Sequence, residues 1–465
     1  MEVDDVNAIK AMMTSGDPHI SEMTIDDWML AFDRADHDMK RLMLFVNLPK
    51  LCSKCELNGD QTSLLIQKMP VNLLSEFLLE GDEECVDFVV TILKVLLPQT
   101  RSDVLPALRP LIEGIRSSLC QKKQISVSDF NDRVSVLRSI GLQFLSVDDL
   151  NSLLNASVAY LKDNVEKLPS DEITTFIVAA QKQLCGYLSD DKEFNSIALS
   201  WPANIKVVAQ RLFQTYNIDD RFTNFSFITL SLTAQICGSS WLSSPAQFLR
   251  LISSLCAGRL RIITEYPDKI DVDMLAACLS LLECAVRCVE VDTTAVSDEV
   301  ATAVSRSCKE GASFCFEYLS ACHEKKIHLP LECLLGFYRF ICMFASVGGI
   351  QLIQKEYVEG AISSLVNTCN FALDQRDTST ATLLLNNLPE FPQLPNNTLD
   401  VLFKYIRLSW PTAERKTAIE MFTSVIGELK DRNDFYTKES RINVLQFAHD
   451  AENQTLIDVL KKLKE

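Results

Sequence analysis

The sequence predicts an all-α fold of helices stacked in pairs, and three observations support this prediction. Glycine and proline, which disrupt helices, each make up about 3% of the 465 residues, against ~7% and ~5% in average proteins. Apolar residues recur along the chain with the 3.6-residue period of a helix. No stretch shows the sustained alternation of polar and apolar residues that a half-buried strand requires. The chain is therefore expected to contain helices and no strands.

Two stretches illustrate the helical period. Between residues 203 and 216 the apolar side chains follow the steps i, i+3, i+4, i+7, i+8 and i+11. These side chains are Ile205, Val208, Ala209, Leu212, Phe213 and Tyr216. Near the end of the chain the same steps are made by Leu456, Val459, Leu460 and Leu463. Each stretch is expected to form an amphipathic helix with one buried face.

A hydroxyl side chain followed by acidic residues marks several predicted helix starts. The hydroxyl oxygen can accept hydrogen bonds from the free amides of the first turn, and acidic residues favour the positive end of the helix dipole. This pattern begins at Thr24, Ser146, Ser170 and Ser297. The apolar runs are separated by Pro169, Pro267 and Pro330. Together these signals predict about twenty helical segments of roughly 12 to 20 residues.

The helices do not follow a sharp repeat consensus. The 33- and 34-residue patterns of ankyrin and tetratricopeptide repeats are absent. The tetrapeptide Leu-Ser-Trp-Pro occurs at residues 199–202 and again at 408–411, which a degenerate repeat and chance explain equally well. Degenerate helix pairs of ~40 to 47 residues fit best, because one pair cannot bury its apolar face without neighbours. The sequence thus predicts an armadillo/HEAT-like right-handed α-solenoid.

No linker rich in glycine, serine or proline divides the chain. Residues 1–20 are expected to be a flexible N-terminus, and residues 21–465 a single helical-repeat solenoid. Helical periodicity lapses at residues 52–61, 188–204 and 373–396. The last two segments are the expected soft breaks.

Composition and charge exclude several classes of protein. Hydrophobic residues make up 47% of the chain, which is enough to build a core and argues against a disordered chain. The net charge of −17 would repel a phosphate backbone, and the Lys and Arg residues are scattered. Nucleic acid is therefore not an expected partner.

Cysteine usage and the N-terminal sequence favour a cytoplasmic protein. Most of the 16 cysteines lie in apolar helical stretches, and the first 20 residues lack the pattern of a signal peptide. The cysteines are therefore expected to be reduced and buried. The uncharged window from Phe222 to Leu249 is long enough to span a bilayer at ~20 residues. It contains many Ser, Thr, Asn and Gln side chains and Pro245, so no transmembrane segment is expected.

The sequence lacks the motifs of common enzyme classes. Neither a Walker loop nor a dinucleotide-binding glycine pattern is present. The histidines, none of which lies in a metalloprotease motif or beside a nucleophile elbow, are His19, His37, His323, His328 and His449. No catalytic residue, cofactor or enzyme activity is expected.

Three groups of cysteines are candidates for metal or redox sites. Cys52 and Cys55 form a single Cys-x-x-Cys pair without a second pair at ligand spacing. A denser set lacks a repeated motif and comprises Cys315, Cys322, His323, His328 and Cys333. A third group lies in one apolar run and comprises Cys278, Cys284 and Cys288. Buried cysteines and exposed histidines are the expected arrangement, with no metal bound.

Four arginines interrupt the otherwise uncharged or acidic middle of the chain: Arg250, Arg259, Arg261 and Arg287. Arginine suits the recognition of carboxylates, so these residues are candidates for binding an acidic protein partner on a concave surface. Solvated helix faces explain them equally well.

The segment from Asn224 to Glu283 resembles the neurochondrin family. The resemblance begins with Cys-Gly-Ser-x-Trp, here Cys237, Gly238, Ser239 and Trp241. A Leu-rich helix with an Arg and a Glu follows, here Arg261 and Glu265. Then comes Ala-Cys-x-x-Leu-x-Glu, here Ala277, Cys278, Leu281 and Glu283. A weaker resemblance extends to residues 33–51 and to the segment around Arg339.

The resemblance implies an armadillo-like helical protein of the nervous system without enzyme activity. Family members are associated with neurite outgrowth, synaptic signalling and restraint of calcium/calmodulin-dependent kinase phosphorylation. It implies partners such as receptor tails and kinases, and a location in the cytoplasm and neuronal projections. Vertebrate-type members are longer and begin with adjacent cysteines suited to palmitoylation, whereas the first cysteine here is Cys52, so lipid anchoring is not expected.

The signature Cys237 to Trp241 has an architectural interpretation. Gly238 is expected to adopt the left-handed conformation after a helix ending at Cys237, with Trp241 packing back against that helix.

The predicted function of the chain is that of a scaffold or adaptor, which presents an extended groove to a peptide or receptor tail. The alternative is an assembly chaperone or transport adaptor for a large protein complex, which HEAT-like arrays also provide.

Overall fold

A computed structural model describes residues 24–36, 38–52, 57–121, 125–164, 169–190, 199–215, 219–266, 270–291 and 296–463. Within these ranges the regular structure consists of 21 α-helices and short 3-10 turns, without strands. This confirms the predicted all-α fold and its number of helices. The N-terminal residues 1–20, expected to be flexible, lie outside the described residues.

The described chain divides into two compact units, with the boundary between Leu232 and Thr233. The helices up to this boundary are α1 (Ile25–Arg34), α2 (Asp38–Cys52), α3 (Gly59–Gln67), α4 (Val71–Glu80), α5 (Glu83–Leu96), α6 (Arg109–Gln121), α7 (Val127–Ile140), α8 (Val147–Asp163), α9 (Asp171–Asp190) and α10 (Trp201–Gln214). Helix α11 (Asp220–Cys237) contains the boundary. Residues 191–198 of the soft break expected at 188–204 lie outside the described residues, and this break stays a prediction.

The second unit contains the remaining helices. They are α12 (Ala246–Ile263), α13 (Val272–Val291), α14 (Asp298–Lys325), α15 (Leu331–Ser346), α16 (Lys355–Asp374), α17 (Thr378–Leu385), α18 (Thr398–Ser409), α19 (Arg415–Leu429), α20 (Lys438–Asp450) and α21 (Gln454–Leu460). Their lengths run from 7 residues in α21 to 28 in α14. The expected range of 12 to 20 residues was therefore too narrow, since no proline interrupts the chain between Ser297 and Lys325.

Each unit has two layers of helices, and most helices of a layer pack on the helix two positions earlier in the chain. In the first unit α4, α6, α8 and α10 form one layer, while α2, α5, α7 and α9 form the other. In the second unit one layer contains α12, α14, α16, α18 and α20, and the other contains α13, α15 and α17. This stacking of helix pairs is the arrangement of an α-solenoid.

Hydrogen bonds between one helix pair and the next indicate the repeat length. In the first unit the Tyr187 hydroxyl donates to the Leu145 carbonyl, 42 residues earlier. In the second unit the Tyr338 hydroxyl donates to the Ala381 carbonyl, 43 residues later. Both separations fall in the range of 40 to 47 residues predicted for degenerate helix pairs.

The predicted helix starts agree with the structure. Thr24 accepts a hydrogen bond from the Asp27 amide at 3.3 Å, and Ser146 forms a reciprocal capping box at the start of α8. The Ser170 hydroxyl accepts from the Ile173 amide at 3.4 Å. Ser297 occupies the cap position of α14 but its side chain makes no capping hydrogen bond. Local sequence therefore marks where helices begin even where the cap itself is not formed.

The repeated tetrapeptide occupies two different structural positions. Trp201 is the first residue of α10 and is fully buried. Trp410 follows the last residue of α18 and is half-buried, with the Arg415 guanidinium 3.8 Å above its ring. The two copies therefore do not have equivalent roles.

The uncharged window from Phe222 to Leu249 is divided by the turn at residues 238–245, which separates α11 from α12. Across the described ranges, the helices lack the combination of length and hydropathy that a bilayer-spanning segment needs.

Remote hydrogen bonds hold part of the segment 373–396. The Arg432 guanidinium donates to the Phe391 carbonyl at 2.6 Å, and the Leu394 amide donates to the Asp434 carboxylate at 2.8 Å. Burial by itself would raise the pKa of Asp434, but the hydrogen bonds from Arg432 and Leu394 offset this effect and leave the pKa lowered. Polar side chains some 40 residues away thus hold a segment that lacks its own periodicity.

Gly360 allows α16 to pack closely on α14. A Cβ atom at Gly360 would lie 2.8 Å from the Ser320 Cβ and 3.2 Å from its Cα. We expect Gly360→Ala to lower the free energy of unfolding by about 1–2 kcal/mol, because overpacking outweighs the gain in helix propensity. Chemical denaturation measures this change. Gly258→Ala in α12 is the matched control, with nothing within 4 Å of its Cβ, and should gain up to ~1 kcal/mol. Equal effects of the two variants would contradict the prediction.

Candidate protein-interaction site

Glu283 is a buried carboxylate on α13, in a helix whose other buried positions are mainly apolar. The residue is only 8% exposed. Moving a carboxylate out of water costs several kcal/mol unless charged or polar partners compensate. The position of Glu283 therefore depends on the groups that contact it.

Two arginines supply these contacts. The Arg287 Nη2 atom, one helical turn further along α13, donates to Glu283 Oε1 at 2.6 Å. Arg339 on α15 donates from Nη2 to Oε1 at 3.2 Å and from Nε to Oε2 at 3.3 Å. The side chains of Arg287 and Arg339 are 45% and 55% exposed, whereas that of Glu283 is 11% exposed. One buried carboxylate thus holds two solvent-facing guanidinium groups on neighbouring helices.

This arrangement can receive an anionic group from a partner. Each guanidinium carries five N–H donors, and the bonds to Glu283 use only some of them. The two arginines together carry one more charge than the carboxylate neutralises. Because Glu283 fixes their orientation, an approaching carboxylate meets donors that are already aligned, which favours arginine over lysine here. The exposed Glu290, one turn beyond Arg287, limits the positive field on that side.

The thiol next to this group is held in its neutral form. Burial, with a smaller effect of the Glu283 carboxylate, raises the pKa of Cys284 to about 12. A thiol with this pKa remains protonated at neutral pH and is a poor nucleophile. The chemistry available at this site is therefore ion pairing and hydrogen bonding.

The structure distributes the four candidate arginines over two helices. Arg287 lies in the group just described. Arg250 lies near the start of α12, where it pairs with Glu299 at 3.1 Å. Arg261 lies near the end of the same helix, about 16 Å from Arg250 along the axis, and Arg259 points to a different side of α12. Whether these residues bind a partner stays a prediction.

Arg261 lies in the last turn of α12, whereas Glu265 lies just beyond the end of this helix rather than within it as expected. Both line a groove of about 640 Å³ between α12 and α14, together with Glu317 and Lys325 of α14. The groove therefore carries charges of both signs. It therefore offers less selectivity for an acidic partner than the Glu283 group does.

The Cys237 to Trp241 signature forms the turn between α11 and α12. Gly238 follows the last residue of α11 with φ of +83° and ψ of 163°. The positive φ agrees with the expectation, but this ψ is extended rather than left-handed helical, a region open mainly to glycine. Trp241 packs edge-on against Phe248 of α12 at 6.5 Å between ring centroids. The Cys288 thiol donates to the Ser239 carbonyl at 3.0 Å and attaches this turn to α13.

The remaining signature residues are structural. Ala277, Cys278 and Leu281 are buried on α13. Burial, reinforced by the neighbouring Cys278 thiol, raises the pKa of Cys256 well above its usual value. Burial likewise raises the pKa of Cys308 to about 12. These thiols are packed, protonated core groups, as expected for reduced cysteines.

The other cysteine sets are also dispersed. Cys315, Cys322 and Cys333 are buried, whereas His323 and His328 are exposed. His323 lies in the last turn of α14 rather than in a loop. Among the residues that the structure describes, His, Cys, Asp and Glu side chains do not form a group suited to holding a metal ion. Cys55 lies outside these residues.

Sequence reasoning missed the contribution of Arg339. The spacing of Glu283 and Arg287, four residues apart on one helix, is a local signal for an ion pair. Arg339 lies 56 residues from Glu283, and no local pattern connects them. The weaker resemblance noted around Arg339 was the one available pointer to this residue.

Comparisons with known proteins gave matches among solved structures. No protein-family model and no curated protein matches the sequence. Among solved structures, an engineered protein from a structural genomics programme is similar, with a TM-score of 0.41 and 12% identity over 98% of this chain and 90% of its own. A circular tandem repeat protein with a novel repeat topology has a TM-score of 0.24 and 11% identity over 99% of this chain and 95% of its own.

Proposed function

We propose that the chain is a non-catalytic, neurochondrin-like scaffold or adaptor that binds protein partners in neuronal signalling and neurite outgrowth. The observation that carries this proposal is the exposed pair of Arg287 and Arg339, oriented by the buried Glu283. Arginines fixed at a surface are frequent energetic centres of protein interfaces. The pair is therefore the primary contact for an acidic side chain of the partner.

The protonation of the neighbouring thiol supports a binding role rather than a catalytic one. Cys284 keeps its proton at neutral pH because burial raises its pKa to about 12. Nucleophilic catalysis by cysteine requires the thiolate.

The resemblance supplies the cellular setting of the proposal. Glu283 belongs to the segment that resembles neurochondrin most clearly, and Arg339 to a segment of weaker resemblance. The partners we propose are receptor tails, kinases or other signalling proteins of the cytoplasm and neuronal projections. An acidic segment in such a partner would complement the two arginines.

The test is affinity purification of the full chain from neural and non-neural tissue, with quantitative mass spectrometry. We expect Arg287→Gln with Arg339→Gln to reduce recovery of the specific partners at least ~10-fold, because both oriented guanidinium groups are lost. The matched control is Arg306→Gln, which removes an exposed arginine of α14 and should leave recovery unchanged.

The partners themselves separate the two candidate functions. Neuronal receptors or kinases, lost in the double variant, would support the neurochondrin-like scaffold. One stoichiometric complex recovered from every tissue would instead support an assembly chaperone or transport adaptor. Full recovery of partners by the double variant would exclude the arginine pair as the binding site.

A further inference from the structure

A second pocket lies where α14, α15 and α16 meet, apart from the arginine pair. Its volume is about 570 Å³, within the usual range of ligand-binding clefts. The lining is mainly apolar and includes Leu319, Ile327 and Leu334. Leu331 and Phe371 also line it and are 40% and 38% exposed. A large part of this apolar surface therefore remains in contact with water.

The polar part of the lining carries one positive charge and no negative charge. The charge is that of Lys326, which is exposed at the pocket. The other polar side chains of the lining include His323, His328, Ser364, Asn367 and Thr368. In this described part of the chain no acidic side chain contributes to the lining, although the protein has a net charge of −17. The pocket thus combines an apolar floor with a polar rim that contains one ammonium group.

Lys326 occupies a backbone position that favours glycine. It follows the last residue of α14 with φ of 55° and ψ of 39°. Its amide donates to the His323 carbonyl, and the Ile327 amide donates to the Cys322 carbonyl. This pair of bonds defines a Schellman motif, in which glycine is usual because other residues are strained there. A lysine at this position lowers stability relative to glycine while placing an ammonium group at the pocket.

Two simpler explanations cover only part of these observations. A cation near the end of a helix interacts favourably with its carbonyl groups, which accounts for Lys326. This interaction with the helix end does not account for the exposed apolar side chains of Leu331 and Phe371. Metal binding is opposed by Cys322 and Cys333, because burial raises the pKa of both thiols and zinc requires thiolates.

We propose that this pocket binds an acidic segment of a protein partner, with one apolar side chain between Leu331 and Phe371 and its carboxylates beside Lys326. Charge complementarity selects this occupant, since Lys326 places an ammonium group at the rim and the lining that the structure describes lacks acidic groups. The apolar floor provides a cavity for a single anchoring side chain. The pocket is a contact additional to the arginine pair and does not depend on it.

The test uses a fluorescein-labelled peptide, Glu-Asp-Glu-Leu-Phe-Asp-Gly-Ser, and fluorescence anisotropy with the full-length chain. The chain carries Arg287→Gln and Arg339→Gln, so that binding to the arginine pair does not contribute, together with Glu283→Gln, so that no buried carboxylate is left without its arginine partners. We expect saturable binding, weakened ~5-fold or more by Lys326→Gly and ~10-fold by Leu331→Asp. A peptide with Ser-Gly in place of Leu-Phe, and one with Lys in place of the acidic residues, should each bind at least ~10-fold more weakly.

Stability measurements distinguish lost contacts from misfolding. Lys326→Gly should raise the melting temperature by about 2 °C, because glycine removes the backbone strain, while it weakens binding. The matched control is Arg376→Gly, which removes a cation at the same type of backbone position, with φ of 61°, outside the pocket lining. It should raise the melting temperature similarly and leave peptide binding unchanged.

Several results would overturn the proposal. These are equal binding of the acidic and lysine peptides, binding unaffected by Leu331→Asp, and equal weakening by Arg376→Gly. Binding of phosphatidylserine vesicles that depends on Lys326 and Leu331, without peptide binding, would assign the pocket to a lipid surface instead. Each of these results leaves the test of the arginine pair intact, since that test uses other residues and tissue partners.

Discussion

Replacing Arg133 with alanine is expected to lower the free energy of unfolding of the first unit by about 3–4 kcal/mol. Methionine at the same position should change it by less than ~1 kcal/mol. Arg133 lies on α7 with its side chain 0% exposed. Its Nη2 atom contacts Glu83 and donates to Asp87 at 3.1 Å, both on α5. The fully buried side chain of Arg133 thus lies between α5 and α7.

The difference between the two substitutions follows from incomplete pairing of the guanidinium group. The Arg133 Nε and Nη1 atoms are buried without a hydrogen-bond partner. Their lost hydration offsets much of the attraction to Glu83 and Asp87, so the charge itself adds little net stability. The side chain nevertheless fills space between the helices. Alanine leaves a cavity, whereas methionine preserves most of the apolar volume.

Hydrogen exchange of peptides covering α5 and α7 localises the change, and urea denaturation measures it. Arg138→Ala on the exposed side of α7 is the control and should shift stability by less than ~0.5 kcal/mol. Equal losses for Arg133→Ala and Arg133→Met would show that the ion pair, rather than packing, stabilises this position.

Lowering the pH should increase the stability of Arg133→Met relative to that of the wild type. Burial raises the pKa of Asp87 above its ordinary value, and Arg133 partly offsets this rise. A carboxyl with a raised folded-state pKa binds its proton more readily when folded, so stability increases as the pH falls through that pKa. Without Arg133 the offset is lost and the gain is larger. The stability of Arg133→Met relative to the wild type should therefore improve between about pH 7 and pH 4.

The helices were predictable because their signals are local. Thr24 and Ser146 each cap a backbone amide that lies three residues further along the chain. The apolar residues of one helix face are likewise only three or four residues apart. For the same reason, only one of the two ion pairs of Glu283 could be predicted from the sequence. Arg287 lies one turn away, whereas Arg339 reaches Glu283 from another helix. The register between helices decides that contact, and a single sequence does not reveal it.

Arg133 shows the same limit in the first unit. Its position on the buried stripe of α7 follows from the residues around it, such as Val134 and Leu137. A charged residue on such a stripe is expected at the surface unless partners are known. Those partners lie 46 and 50 residues earlier in the chain. Local patterns therefore predict elements, whereas buried polar contacts depend on how the elements stack.

The two copies of Leu-Ser-Trp-Pro allow this distinction to be measured. Trp201→Ala is expected to lower the free energy of unfolding of the first unit by about 4 kcal/mol, because a fully buried indole is replaced by a cavity. Trp410→Ala should cost the second unit only about 1–2 kcal/mol. That ring is half-buried, and its contacts are the Arg415 guanidinium and the Phe447 ring at 5.0 Å.

Trp201→Phe serves as the control for cavity size. The indole Nε1 of Trp201 is buried without a hydrogen-bond partner, so phenylalanine removes an unsatisfied donor together with part of the volume. Its cost should be about 1–2 kcal/mol, well below that of alanine.

Hydrogen exchange of amides in α10 and in α18 measures the loss of stability at each of the two tryptophans separately. If Trp201→Ala and Trp410→Ala cost the same, the tetrapeptide would specify equivalent packing at both positions. We expect different costs because one tryptophan is the first residue of a helix and the other follows the last residue of a helix. The helical turn next to each tryptophan determines how much of its ring is buried.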